Sequence, residues 1–202
     1  MENKIKHIYP SVLPQTFNNT EVYVADFSER TNSARGVEFH PSHPFCPKTE
    51  GQLMDCLLIK NPQRIALSFI PFENNLFKDE QGNDMEQCEC CFFPSSTAST
   101  DGNFISFVEI KDCKSKNLSV HKDKAKSQLT TSIREFRCRD IITDKQRVYG
   151  IISFPRMKKL SFNQTLFEDY TEYKRLYKQE RIHLLITNQV TVVSEGKVEK
   201  EK

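Results

Sequence analysis

A chain of 202 residues, 37% hydrophobic and 28% charged, is long enough to bury a sizeable core and short enough to form one domain. It contains no apolar run of about 18 residues, and "MENKIKHIYPSV" lacks the apolar centre of a secretory signal, so a soluble cytoplasmic protein with no membrane association is expected. Seven cysteines without an export signal are expected as reduced thiols, not as a disulfide framework. The formal net charge of +2 conceals an asymmetry: residues 1–100 hold 8 Lys/Arg against 13 Asp/Glu, and residues 101–202 hold 21 against 14. The second half is therefore the expected docking surface for a polyanion.

Residues 1–45 carry four prolines and two strand-like stretches, "EVYVADF" and "GVEFHP", and are expected as a β-rich N-terminal extension. "KTEGQLMDCLLI" sets Leu53, Met54, Cys56, Leu57 and Leu58 at helical spacing and predicts a short helix. After the turn at Asn61-Pro62, "RIALSFIPF" reads as a buried strand and "ENNLFKDEQGNDME" as a loop. "QCECCFFP", the turn-rich "SSTASTDGN" and "FISFVEIKDCK" then predict an antiparallel hairpin. Ala125, Leu129, Ile133 and Phe136 recur on one stripe of a helix over 121–137. "RVYGIISFP" is a further buried strand, "TLFEDYTEYKRLYKQE" a second helix, and "RIHLLITNQVTVV" a closing strand or hairpin. The charged end, 195–202, is expected as a frayed tail. The main domain then spans 46–194, an α/β unit with a central mixed sheet flanked by helices.

The chemistry concentrates at "FVEIK". On a strand, Glu109 and Lys111 share a face, because alternate residues point the same way. An exposed ion pair would contribute little. A carboxylate that ligates a hard dication beside an ammonium that stabilises developing phosphate charge is the functional alternative. Glu89 in "QCEC" supplies a second acid on the preceding strand, and Gln128 in "KAKSQL" lies on the following helix. Asp101 could replace Glu89, although its Asp-Gly context reads as a turn. Cys88, Cys90 and Cys91 have no second ligand pair at zinc spacing and read as buried small hydrophobes.

From Lys48 to about residue 155, the order of helix, three strands with E-x-K on the third, helix and strand resembles the PD-(D/E)XK nuclease superfamily, with its restriction-endonuclease-like fold. The resemblance implies Mg²⁺ or Mn²⁺ held by Glu89 and Glu109, with Lys111 and Gln128 acting on water and phosphate. It also implies an accessory acid at Glu50 on the first helix. The family usually has Asp where this chain has Glu89, a departure that adds one methylene of reach. Hydrolysis of nucleic-acid phosphodiesters is the implied reaction, with Lys114, Lys116, Lys122, Lys124 and Lys126 as the implied nucleic-acid surface. The rival expectation is an inactive nuclease-fold module that binds a protein partner or nucleic acid in defence or toxin immunity.

Overall fold

A computed structural model of the chain describes residues 1–27, 36–73, 75–95, 102–111, 118–157 and 166–201. The described elements run, in chain order, α1 (Glu2–Ile8), β1 (Gln15–Phe17), β2 (Glu21–Asp26), β3 (Val37–His40), β4 (Leu57–Lys60), β5 (Leu67–Pro71), β6 (Cys90–Pro94) and β7 (Phe104–Ile110). They continue with α2 (Leu118–Cys138), β8 (Arg147–Ser153), α3 (Leu166–Glu180), β9 (Ile182–Ile186), β10 (Gln189–Ser194) and β11 (Lys197–Lys200). The class is α/β, with two mixed sheets. One has six strands in the order β1-β5-β6-β7-β8-β9, the other five in the order β11-β10-β4-β2-β3.

Strands β5, β6 and β7 form an antiparallel meander, whereas β7, β8 and β9 are parallel. Parallel neighbours need a crossover, and α2 and α3 provide the two that this sheet requires. "FISFVEI" is buried at every position, as befits a central strand covered on both faces. Alternation divides its side chains between two cores. Ile105 and Phe107 pack on the helix side with Ala125, Leu129, Ile133 and Phe136 of α2, the stripe that the sequence predicts. Phe104, Val108 and Ile110 pack on the other side against Val22, Val24, Leu57 and Ile59 of the second sheet. The layers are thus helices, six-stranded sheet, five-stranded sheet.

Four expectations change. The helix expected at 48–59 is a set of turns followed by β4, in which Leu57 and Ile59 point inward and Leu58 and Lys60 outward. A short apolar run satisfies both periodicities, and pairing with β2 and β10 decides for the strand. Residues 1–45, expected as an extension, contribute α1, an edge strand of the first sheet and two strands of the second. Residues 195–202, expected as a frayed tail, include β11, which pairs antiparallel with β10. Finally, "RIHLLITNQVTVV" is neither one strand nor a hairpin: β9 lies in the first sheet and β10 in the second.

Asn188 makes that switch. Its Oδ1 accepts from Ser153 Oγ at 3.0 Å and from the Phe154 amide at 2.8 Å, while its Nδ2 donates to the carbonyls of Phe154 at 2.9 Å and Met157 at 3.2 Å. Its own carbonyl accepts from the Leu58 amide at 3.0 Å, so one residue fastens β8 to β4 across the two sheets.

Candidate active site

Glu109 and Lys111 stand at the carboxyl end of β7, beside the carboxyl end of β8, where the Lys111 amide donates to the Ser153 carbonyl at 2.9 Å. Open sheets of this kind offer ligand sites at the carboxyl ends of their parallel strands. By alternation Glu109 falls on the helix side with Phe107. Its side chain is 0% exposed and that of Lys111 10%, and the two form an ion pair. Apart from that pairing, neither carboxylate oxygen of Glu109 accepts a hydrogen bond from the described residues. Burial pushes the Glu109 carboxyl up to about 8; the nearby Glu89 adds to this, Lys111 opposes it, and Asp26 at the end of β2 contributes in the same direction as Glu89. A carboxyl so placed keeps its proton at neutral pH unless a cation displaces it.

Glu89 immediately precedes β6, one residue beyond the ladder pair Cys90↔Val108. Its amide donates to the Val108 carbonyl at 3.0 Å, and its carbonyl accepts from the Phe72 amide at 2.9 Å. It is half-buried and lines a cleft of about 310 Å³ together with Gly36, Phe72, Glu73, Gln87 and Cys88. Glu109 is sealed in protein, and Glu89 is its neighbour toward the cleft.

Helix α2 grips this edge. Gln128 Nε2 donates to the Gln87 carbonyl at 2.9 Å, and its Oε1 is buried without a hydrogen-bond partner among the described residues. One turn later, Ser132 Oγ accepts from the Cys88 amide at 2.8 Å and donates to the Gln128 carbonyl at 2.9 Å. Gln128 is thereby held two residues along the chain from Glu89, with an unused amide oxygen.

Other residues fall elsewhere. Glu50 lies on an exposed turn beside the Phe45↔Leu53 bridge, not on a helix. Lys122 is buried on α2, Lys124 is exposed, and Lys126 pairs with Asp123 at 3.5 Å, so these three lysines do not present one basic surface. Asp101, Lys114 and Lys116 lie outside the described residues. Cys88, Cys90 and Cys91 are buried and free, with burial pushing their thiols well up, which keeps them protonated.

Sequence reasoning missed Asp26, Ser132 and Asn188. Asp26 had a faint signal as the acid that ends the apolar strand "EVYVAD", the same pattern that marks Glu109. Ser132 and Asn188 act through contacts made at sequence distances of 44 and 34 residues, which no local pattern encodes.

Among the described residues no group of three or more His, Cys, Asp or Glu side chains is arranged to hold a metal ion, and no helix is long and apolar enough to cross a membrane. No family model, no curated protein and no solved structure matches the chain.

Proposed function

We propose that the chain is a metal-dependent nuclease-like protein that hydrolyses nucleic-acid phosphodiesters at the Glu109 edge. The observation that carries this reading is the Glu109 carboxyl, wholly buried, ion-paired to Lys111, and otherwise without hydrogen bonds at the carboxyl end of β7. Burying an acid with so little compensation costs stability, and such sites are enriched where function needs them. The antiparallel meander followed by a helix and a parallel strand is consistent with a restriction-endonuclease-like arrangement, and Glu89, Lys111 and Gln128 attend the same edge.

Two carboxylates and the unpartnered Gln128 amide oxygen are hard oxygen donors, which suit Mg²⁺ or Mn²⁺ with water completing the shell. Glu89 and Glu109 would hold the ion, which would supply Lewis-acid activation of water and of the phosphate. Lys111 is placed to offer its ammonium to the charge that develops on the phosphoryl oxygens. Gln128, fixed by its bond to the Gln87 carbonyl, would orient water through Oε1.

A second reading is a binding module without catalysis, favoured by the contact of Lys111 with Glu109, which accommodates the buried carboxyl without a metal ion. The experiment that separates them is incubation of purified protein with single-stranded and duplex DNA and RNA in Mg²⁺, Mn²⁺ or chelator. Cleavage that needs the metal and is lost in Glu109→Gln supports the enzyme. Absence of cleavage on every substrate in both metals supports the binding module.

A further inference from the structure

The opposite end of the parallel strands has a different chemistry. Strands β8 and β9 begin there, α3 ends there, and between them lies a cleft of about 400 Å³ lined by Lys145, Arg147, Lys178, Arg181, Tyr177 and His183. Asp144 is the one acid in the lining. The two guanidinium groups rest on backbone carbonyls, Arg147 Nη1 on Gly196 at 3.0 Å and Arg181 Nη1 on Asp144 at 3.5 Å. Neither they nor Lys178 meet a carboxylate among the described residues, so their charge stays unneutralised at an exposed surface. Arg181 also holds a left-handed backbone with φ 51°, at a helix end where glycine is the usual residue.

Flat rings border the same charges. His183 stacks on Tyr149 with centroids 5.1 Å apart and meets Tyr177 at 4.8 Å, and Tyr177 is 54% exposed. Burial, and then Arg147, lower the His183 pKa, so its ring is neutral at pH 7 and adds surface, not charge. Unneutralised guanidinium groups fit phosphate oxygens, and an exposed ring beside them fits the face of a base.

We infer that this cleft binds a phosphate-bearing ligand with a flat ring, the chemistry of a nucleotide, with Arg147, Arg181 and Lys178 on the phosphate and Tyr177 on the ring. The source is either a free nucleotide or one unit of a nucleic-acid strand. The site is separate from Glu109, because β8 is seven residues long and its ends lie about 20 Å apart.

The test is calorimetric titration of the full chain in chelator, which keeps metal chemistry at the other end out of the measurement. The probes are adenosine 5′-monophosphate, adenosine, inorganic phosphate, a 12-nucleotide single strand and hexaglutamate. The monophosphate is expected to bind at least about 10-fold more tightly than adenosine or phosphate. Arg147→Gln and Lys178→Gln should each weaken the monophosphate and phosphate by about 10-fold. Tyr177→Ala should weaken the monophosphate about 10-fold and leave phosphate unchanged. Glu109→Gln should change none of these, whatever its effect on cleavage. The same variant pattern with a strand that binds more tightly than the monophosphate identifies nucleic acid as the source, and the reverse order identifies a free nucleotide. Lys178 is exposed on α3, so its variant folds even if Arg147→Gln does not. The inference is overturned if neither the monophosphate nor the strand binds at millimolar concentration, if the variants bind as the parent does, or if hexaglutamate binds as well as the strand.

Discussion

The two ends of the parallel strands β7, β8 and β9 make opposite use of charge. At the carboxyl end, Glu109 is buried, its pKa is raised, and it depends on Lys111 alone for compensation. At the amino end, Arg147 and Arg181 are exposed and rest on backbone carbonyls. A buried acid with one partner is costly and geometrically fixed, which suits a site that must be preorganised. Exposed cations without a paired carboxylate are inexpensive and adaptable, which suits the recruitment of an anion. One sheet therefore supports a proposed reaction centre and a proposed ligand site whose energetics are independent.

The largest expected effect falls on the buried end. If Glu109 is a metal ligand, Glu109→Gln removes metal-dependent cleavage altogether, because a neutral amide is a poor ligand for a hard dication. An assay of oligonucleotide cleavage in Mg²⁺ and Mn²⁺ checks it, and cleavage at the parent rate would move the centre away from β7. Lys111→Ala is expected to reduce cleavage by about 10²-fold, the usual scale for one preorganised charge-stabilising group. A rate within a few-fold of the parent would leave Lys111 as a counter-ion alone.

The rigidity of that end can be tested through Asn188. Its four side-chain hydrogen bonds tie the end of β8 to the switch between sheets, so Asn188→Ala should lower stability by about 2–3 kcal/mol in denaturant unfolding. A loss below about 0.5 kcal/mol would mean that the backbone holds the switch unaided.

The pH dependence follows from the raised Glu109 pKa. Between the ordinary carboxyl range near 4.5 and about 8, the folded chain holds a proton at Glu109 that the unfolded chain has released. The contribution of this group to stability is therefore full below pH 4.5 and is lost as the pH rises through 8. Glu109→Gln, which cannot ionise, should gain on the parent by about 2.5 kcal/mol between pH 6 and pH 8.5. Denaturant midpoints of both proteins at the two pH values measure the gain. A constant difference would show that the carboxyl does not titrate in that window.

The smallest expected effect lies in the middle of the sheet, between the two ends. A Cβ at Gly150 would meet Leu129 Cδ1 at 3.4 Å, Leu184 Cδ1 at 3.5 Å and Ile182 Cγ2 at 3.6 Å, ordinary van der Waals distances to side-chain atoms. Gly150→Ala should raise stability by about 0.5 kcal/mol in thermal unfolding, because alanine loses less backbone freedom on folding, without altering either proposed site; a loss of more than about 1 kcal/mol would show that the sheet cannot take the added methyl.

Local pattern made much of this chain legible. The buried strands at 67–71, 90–94, 104–110 and 147–153 and the helix over 118–138 follow from apolar runs and a 3.6-residue stripe, because burial on two faces or on one face leaves those patterns in the residues themselves. The adjacency of Glu109 and Lys111 on one face is a property of strand geometry and was readable in "VEIK". The proximity of Glu89 to Glu109 required only that two neighbouring strands pair as a hairpin. What tertiary structure alone decided is where each pattern is placed. "LLIK" became a strand because β2 and β10 flank it, "TNQV" became a sheet switch because Asn188 finds Phe154 and Met157, and Lys122 was buried where its lysine-rich surroundings suggested a surface. Arg147 and Arg181 meet in one cleft because parallel strands align their starts, although 34 residues separate them in the chain. Side-chain periodicity is written locally and survives in a single sequence, whereas sheet order and the desolvation of a particular carboxylate depend on contacts between distant segments, which leave no local trace.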